Sequence, residues 1–237
     1  MTIGVWAGKQ REPARRGLAA IGTSSYIETS FSQATPQAAF THFQLLDAAR
    51  EAPIHTFGWP IGVFFDREEH RPRPRRDGIT AEIAWPERNT YDYWALSLAG
   101  DFYLLKTLSE DALGHPEAIF FNTRIVRTTE RLLYCQRLYR SLGVADDAMV
   151  QMEIRYVGFS GRILAAAGGR RVVFDNRVAV ENETEHVEEF RLGDIETKLV
   201  SLVRAFCDPL FVLFDFFRLE DSVYEEIVAA FRTGKVA

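Results

Sequence analysis

The strip FFNTRIVRTTE, residues 120–130, carries the most specific chemistry in the chain. Arg124 and Arg127 lie beside Asn122 and the hydroxyl of Thr128, where an apolar strand pattern (119–126) gives way to a helical one. A helix N-terminus presents unpaired backbone N–H groups, and guanidinium forks nearby add charge, a combination suited to an anion. A second reading is open at the same residues, with Arg124 paired to a strand carboxylate such as Asp92 or Asp101. Tyr91 and Tyr93 are the aromatic residues placed to complete a ligand pocket. They share one face of a strand while Asp92 and Trp94 share the other, so only one of the two sets can line a site. With Trp59, Trp85 and Trp94 they form an aromatic set that could stack on a flat ligand or a base. Strand aromatics more often serve as cross-strand core, which is the favoured reading.

The second basic feature is RPRPRR, residues 71–76. Arg71, Arg73, Arg75 and Arg76 are spaced by prolines that hold an extended backbone, which would present them to the phosphates of a nucleic acid. Glu68, Glu69 and Asp77 flank the run, and Asp77-Gly78 is an ordinary turn pair, so a stiff solvated connection is the favoured reading. GDIETK, residues 193–198, places Asp194, Glu196 and Lys198 in an order reminiscent of nucleases. All three open a helix, however, and capping accounts for them. Asp101, Glu110 and Asp111 fall near hairpin ends and are expected to be solvated. The five histidines have no ligand spacing, so no metal is expected, and no phosphate-binding glycine loop or nucleophile elbow calls for a cofactor.

Composition bounds these choices. The chain of 237 residues is 47% hydrophobic and 13% aromatic, enough to bury a substantial core and against global disorder. Its net charge of −5 is uneven, because residues 175–237 carry seven basic against fourteen acidic side chains. An acidic chain is a poor general binder of phosphate backbones, so any nucleic-acid contact must be local. No run reaches the length of a membrane span, and the N-terminus lacks the pattern of a secretory signal. Cys135 and Cys207 lie apart in apolar company and read as buried thiols. A cytoplasmic location follows as the expectation.

The elements required to position these residues are legible in outline. Residues 1–38, polar and rich in small residues, read as a mobile or irregular arm, and residues 39–237 as a single domain. A helix runs from Thr41 to Ala52 and ends before Pro53. GWPIGVFF (58–65) and ITAEIAW (79–85) read as strands, and residues 91–108 as a hairpin turning at Ala99-Gly100-Asp101. A helix capped at Thr128 or Thr129 extends to Leu142, with Gly143 closing it. Strands are expected over 150–156, after the GFSG turn (158–161), around 172–174 and over 187–192. Helices follow, one capped by Asp194 and running through Phe206, and one opened by the capping-box pair Ser222 and Glu225. PLFVLFDFF (209–217) fits a strand or a buried helix. The fold class is α+β, mainly an antiparallel sheet with flanking helices.

FGWPIGV, RPRPRRDGI, YDYWAL with GDFYLLK, FFNTRIVRTTE, YVGFSGRIL and PLFVLFDFF together resemble a region of bacterial proteins that carry a Schlafen-type, AlbA-like nucleic-acid-binding domain. The resemblance spans roughly residues 57–232, and in those proteins the region lies C-terminal to the AlbA-like domain. Residues 1–50 lack that domain's acidic and LEFK-like signature. The resemblance implies a nucleic-acid-associated neighbourhood, met through a companion domain or protein. The absence of a convergent acid, nucleophile–base or phosphate-loop motif makes a non-catalytic accessory module, sensing a ligand or binding a partner, the leading expectation. An enzyme acting on nucleic acid or a phosphorylated small molecule, and a structural homodimerisation domain, are the alternatives.

Overall fold

The computed structural model describes residues 3–35, 39–168, 171–173 and 175–235. It is built on one seven-stranded antiparallel sheet. Its strands are β1 (Tyr26–Gln33), β2 (Arg73–Arg75), β3 (Gly78–Trp85), β4 (Thr90–Ser97), β5 (Phe102–Thr107), β7 (Met149–Val157) and β9 (Glu183–Arg191), in the order β2-β3-β4-β5-β1-β7-β9. Two short strands, β6 (Ala118–Phe120) and β8 (Ile163–Ala165), pair in parallel as a separate ribbon. The helices are α1 (Ile3–Ile21), α2 (His42–Glu51), α3 (Ser109–Ala112), α4 (Phe121–Ser141), α5 (Asp194–Thr197), α6 (Leu199–Val212) and α7 (Asp221–Arg232). The α+β class is therefore observed, with the sheet antiparallel throughout. Among the described residues no helix is long and apolar enough to cross a membrane.

The alternation of side chains along the strands divides the molecule into two layers. Ile79, Ala81, Trp94, Leu96, Leu104 and Phe31 face one way, into the main core beneath α2, α4, α6 and α7. Tyr91, Tyr93, Tyr103, Leu105 and Tyr26 face the other way, into a smaller core closed by Trp6, Ala14 and Leu18 of α1. Helix α4 lies at the centre of the main layer and is buried on nearly all sides. Phe31 ties sheet to helix, stacking on Phe102 at 4.8 Å and meeting Tyr139 edge-on at 5.3 Å. The Tyr139 hydroxyl donates to Gly100 O at 3.1 Å and fixes the β4–β5 turn against the end of α4.

Several expectations are corrected. The polar N-terminal segment is neither irregular nor an arm: it supplies α1 and the fully buried β1, paired to β5 and β7 on its two sides. The one acid of β1, Glu28, is solvated by arginines in place of water, with Arg11 Nε at 2.8 Å and Arg15 Nη2 at 3.0 Å. GWPIGVFF forms no strand. Pro60 removes a donor, and Gly62 has φ +62° with the Tyr134 ring packed where a Cβ would stand, so the segment folds as a buried loop. Helix α4 starts at Phe121, seven residues before the expected cap at Thr128, and absorbs most of the strand foreseen over 119–126. Thr128 is buried inside it, and Thr129 donates to Ile125 O at 2.8 Å.

The strip after GFSG, β8, joins β6 and does not return along β7. No strand forms at Val172 and Val173, while Phe174 lies outside the described residues. The helix foreseen from Asp194 to Phe206 is split at Lys198, with Gly193 and not Asp194 at the cap. The capping box at Ser222 is absent, since α7 begins at Asp221 without a side-chain cap. PLFVLFDFF resolves as the end of α6 and the turn after it.

Helix α1 lies so close to the sheet that a Cβ on Gly17 would stand 2.1 Å from the Tyr91 hydroxyl, itself bonded to Glu82 at 2.9 Å. Gly17→Val should therefore cost roughly 1–3 kcal/mol in urea unfolding and expose Arg11, Arg15 and Arg16 to trypsin. An unchanged unfolding midpoint and cleavage rate would show that α1 does not depend on this contact.

Candidate functional site

Seven ionisable side chains are buried together between the main face of the sheet and α4. Asp92 of β4, Lys106 of β5 and Glu110 of α3 meet Arg124, Arg127, Glu130 and Arg131 of α4. Lys106 Nζ donates to Asp92 Oδ2 at 2.7 Å. Arg124 Nη2 spans both oxygens of Glu110, at 2.8 and 3.0 Å, and Glu110 Oε1 also accepts from Phe120 N at 2.9 Å. Arg127 Nη1 donates to Glu130 Oε2 at 2.6 Å and to Trp59 O at 2.8 Å, while Glu130 Oε1 accepts from Ile61 N at 2.8 Å. Arg131 has no carboxylate: its Nε donates to Thr29 Oγ1 of β1 at 2.8 Å.

Burial sets the electrostatics. Loss of water lowers the Lys106 pKa and raises that of Asp92, each opposed by the attraction between the two. The Arg131 guanidinium is pushed down to about 10, mainly by burial and further by the neighbouring Arg124 and Arg127. It remains charged at neutral pH. Four cations thus face three carboxylates in a region with little water.

A cavity of about 340 Å³ opens from this cluster to the surface. Phe57, Trp59, Trp85, Leu108, Leu113 and Phe120 give it apolar walls, while Lys106 and Arg127 bring charge to it. Trp59 and Trp85 meet edge to face at 4.5 Å, and Lys106 Nζ lies 5.6 Å from the Trp59 ring centre. Arg88 covers the outer side of Trp85 at 5.7 Å. No carboxylate, histidine or thiol is among the lining residues. The arrangement can hold a flat apolar body against the indoles and an acidic group against the cations.

The residues singled out in FFNTRIVRTTE and the tyrosines of β4 fall into four places. Arg124 and Arg127 belong to the cluster. Asn122 holds the rim of the cavity, donating through Nδ2 to Ala167 O at 3.0 Å and accepting from Ala167 N at 2.9 Å. Thr128 faces Cys207 Sγ at 3.6 Å within the core and does not reach the cavity. Tyr91 and Tyr93 lie on the opposite face of the sheet, where the Tyr93 hydroxyl donates to Gln10 Oε1 at 2.8 Å. The partner of Arg124 is Glu110, not Asp92 or Asp101. Glu110 and Asp111 are not solvated: the first is fully buried and the second pairs with Arg162 at 2.7 Å. Asp101 is half-buried and accepts from Ser97 Oγ at 2.8 Å.

RPRPRR lies apart from this site, in and beside the exposed edge strand β2. Arg71 pairs with Glu68 at 3.4 Å, Arg73 donates to Glu68 O at 2.5 Å and Arg75 to Thr80 Oγ1 at 3.1 Å. Pro74 removes a donor from the open edge, a device that discourages further strand pairing. Asp194 and Lys198 pair with each other at 2.9 Å, and Glu196 pairs with Arg140 at 2.8 Å. A larger cleft of about 450 Å³ lies over α5, α6 and α7, but its Arg204 is already bound to Asp208 and Asp221. Among the described residues no group of three or more His, Cys, Asp or Glu could hold a metal ion.

Comparison of the chain with protein-family models, curated proteins and solved structures finds no match. The site is therefore read from its own chemistry. Replacing Glu110 by Gln strands Arg124 without a counter-charge and should cost about 3–5 kcal/mol in urea unfolding. Glu110→Gln combined with Arg124→Met should recover most of that loss. Additive losses in the double variant would show that the two side chains are not energetically coupled.

Proposed function

We propose that this domain is a non-catalytic accessory module that recognises a small organic anion in the Trp59–Trp85 cavity. The observation that carries the reading is the cavity's composition, with indole and phenyl walls, an ammonium and two guanidinium groups among its lining residues, and no carboxylate, histidine or thiol beside them. Its one amine, Lys106, is held by Asp92 at 2.7 Å, so the lining favours binding an anion over proton transfer. Both thiols are buried outside the cavity with their pKa raised by burial, which places them out of reach as nucleophiles. Service to a bacterial nucleic-acid-associated system rests on the motif resemblance. In that setting nucleic acid is met by a companion domain or protein, consistent with the acidic C-terminal third and with arginines of β2 that are engaged at the sheet edge.

Tryptophan fluorescence tests the reading, because two of the four indoles line the cavity. Indole-3-acetate should quench the emission saturably. Trp59→Ala and Lys106→Met should each weaken its binding about tenfold or more, equivalent to roughly 1.4 kcal/mol. Replacing Arg71, Arg73, Arg75 and Arg76 with Ala should leave the titration unchanged. Equal titrations in wild type and both cavity variants would exclude the cavity as the binding site.

A further inference from the structure

Behind the outer cavity, and sharing part of its lining, lies a narrow chamber. Lys106, Arg124, Arg127 and Arg131 line it with the hydroxyl-bearing Thr107 and Ser109, and no carboxylate reaches it. The three acids of the cluster are spent elsewhere: Asp92 on Lys106, Glu110 on Arg124 and Glu130 on Arg127. One positive charge remains unmatched. Arg124 and Arg131 are each 1% exposed, yet Arg124 Nε and Nη1 and Arg131 Nη1 have no acceptor. Buried donors are almost always satisfied, and a buried charge without a counter-charge is strongly disfavoured. Four cations around a void that contains no acid therefore describe a site with a missing partner.

We infer that this chamber is an anion subsite, which takes one singly charged group of halide or single-oxygen size against Arg124 and Arg131. The single unmatched charge calls for a singly charged partner. The chamber admits a free halide, or one oxygen of an acid whose remainder lies in the outer cavity, with which it shares Lys106, Thr107, Ser109 and Arg127. The inference rests on the charge count and the unpaired donors. It stands whether or not the outer cavity binds indole-3-acetate.

Thermal unfolding at fixed ionic strength provides the test, with sodium gluconate replaced stepwise by sodium bromide. Gluconate is too large for the chamber, whereas bromide enters it. The wild-type midpoint should rise saturably, by about 5 °C at a bromide concentration a hundredfold above its dissociation constant. Arg131→Met removes the unmatched charge, and Thr29→Asp places a carboxylate beside Arg131 Nε. Each should abolish the response, and the second keeps the test decisive if the first fails to fold. Benzoate separates the sources. It should suppress the bromide response if an acid from the outer cavity reaches the chamber, and add to it if the chamber holds a free halide. A wild type indifferent to bromide, or variants that respond as it does, would overturn the subsite.

Discussion

The burial of charge along α4 is the constraint around which this domain is built. A helix enclosed on nearly all sides is expected to be apolar all round, yet α4 carries Arg124, Arg127, Glu130 and Arg131 in successive turns. Each guanidinium must find its acceptors within the protein, and the search for them organises the surroundings. Arg124 draws α3 against the helix through Glu110. Arg127 and Glu130 hold the loop at 59–61 by its backbone, and Arg131 reaches across to β1. Trp59 is placed beside Lys106 by the same contacts, so the aromatic wall of the cavity follows from the ion pairs behind it. Apolar replacements of similar volume would often stabilise a domain as well as such a network does, which makes stability a weak reason for keeping it. The proposed anion supplies a stronger one.

The sheet keeps this chemistry apart from a second set of buried charges. On the opposite face Glu28 receives Arg11 and Arg15 from α1, and Glu153 binds Arg11 at 2.7 Å. There the charges fasten a helix to the sheet over a small aromatic core, and Arg11 and Arg15 both reach a carboxylate. The contrast separates the two roles. Arginines that clamp α1 end on carboxylates, while Arg131 on the other face ends on a threonine hydroxyl and an unpaired donor.

The strands β3, β4, β5 and β7 were legible because their apolar residues alternate and each faces a core on at least one side. The start of α4 was not legible, because periodicity detects an apolar stripe and here the buried face is itself charged. The N-terminal segment misled for a related reason: YIETSFSQ looks like a solvated arm until Arg11 and Arg15, supplied by the preceding helix, neutralise its glutamate. In GWPIGVFF the warning was present in Pro60 and in two glycines that adopt positive φ, set against an apolar content that suggests a strand. At the site, Arg124, Arg127 and Asn122 could be singled out because arginines beside a helix start are unusual. Glu110, Glu130, Lys106 and Arg131 could not, since a charged residue in a sequence carries no mark of burial. Only tertiary packing reveals that three acids meet four bases.

The claim that the α4 network is a site with a missing anion is tested most directly by anomalous diffraction. Crystals soaked in sodium bromide and measured at the bromine edge should show a peak inside the chamber, within contact distance of the Arg124 and Arg131 guanidinium groups. Bromide peaks confined to the molecular surface, with ordinary water density between the two arginines, would contradict it.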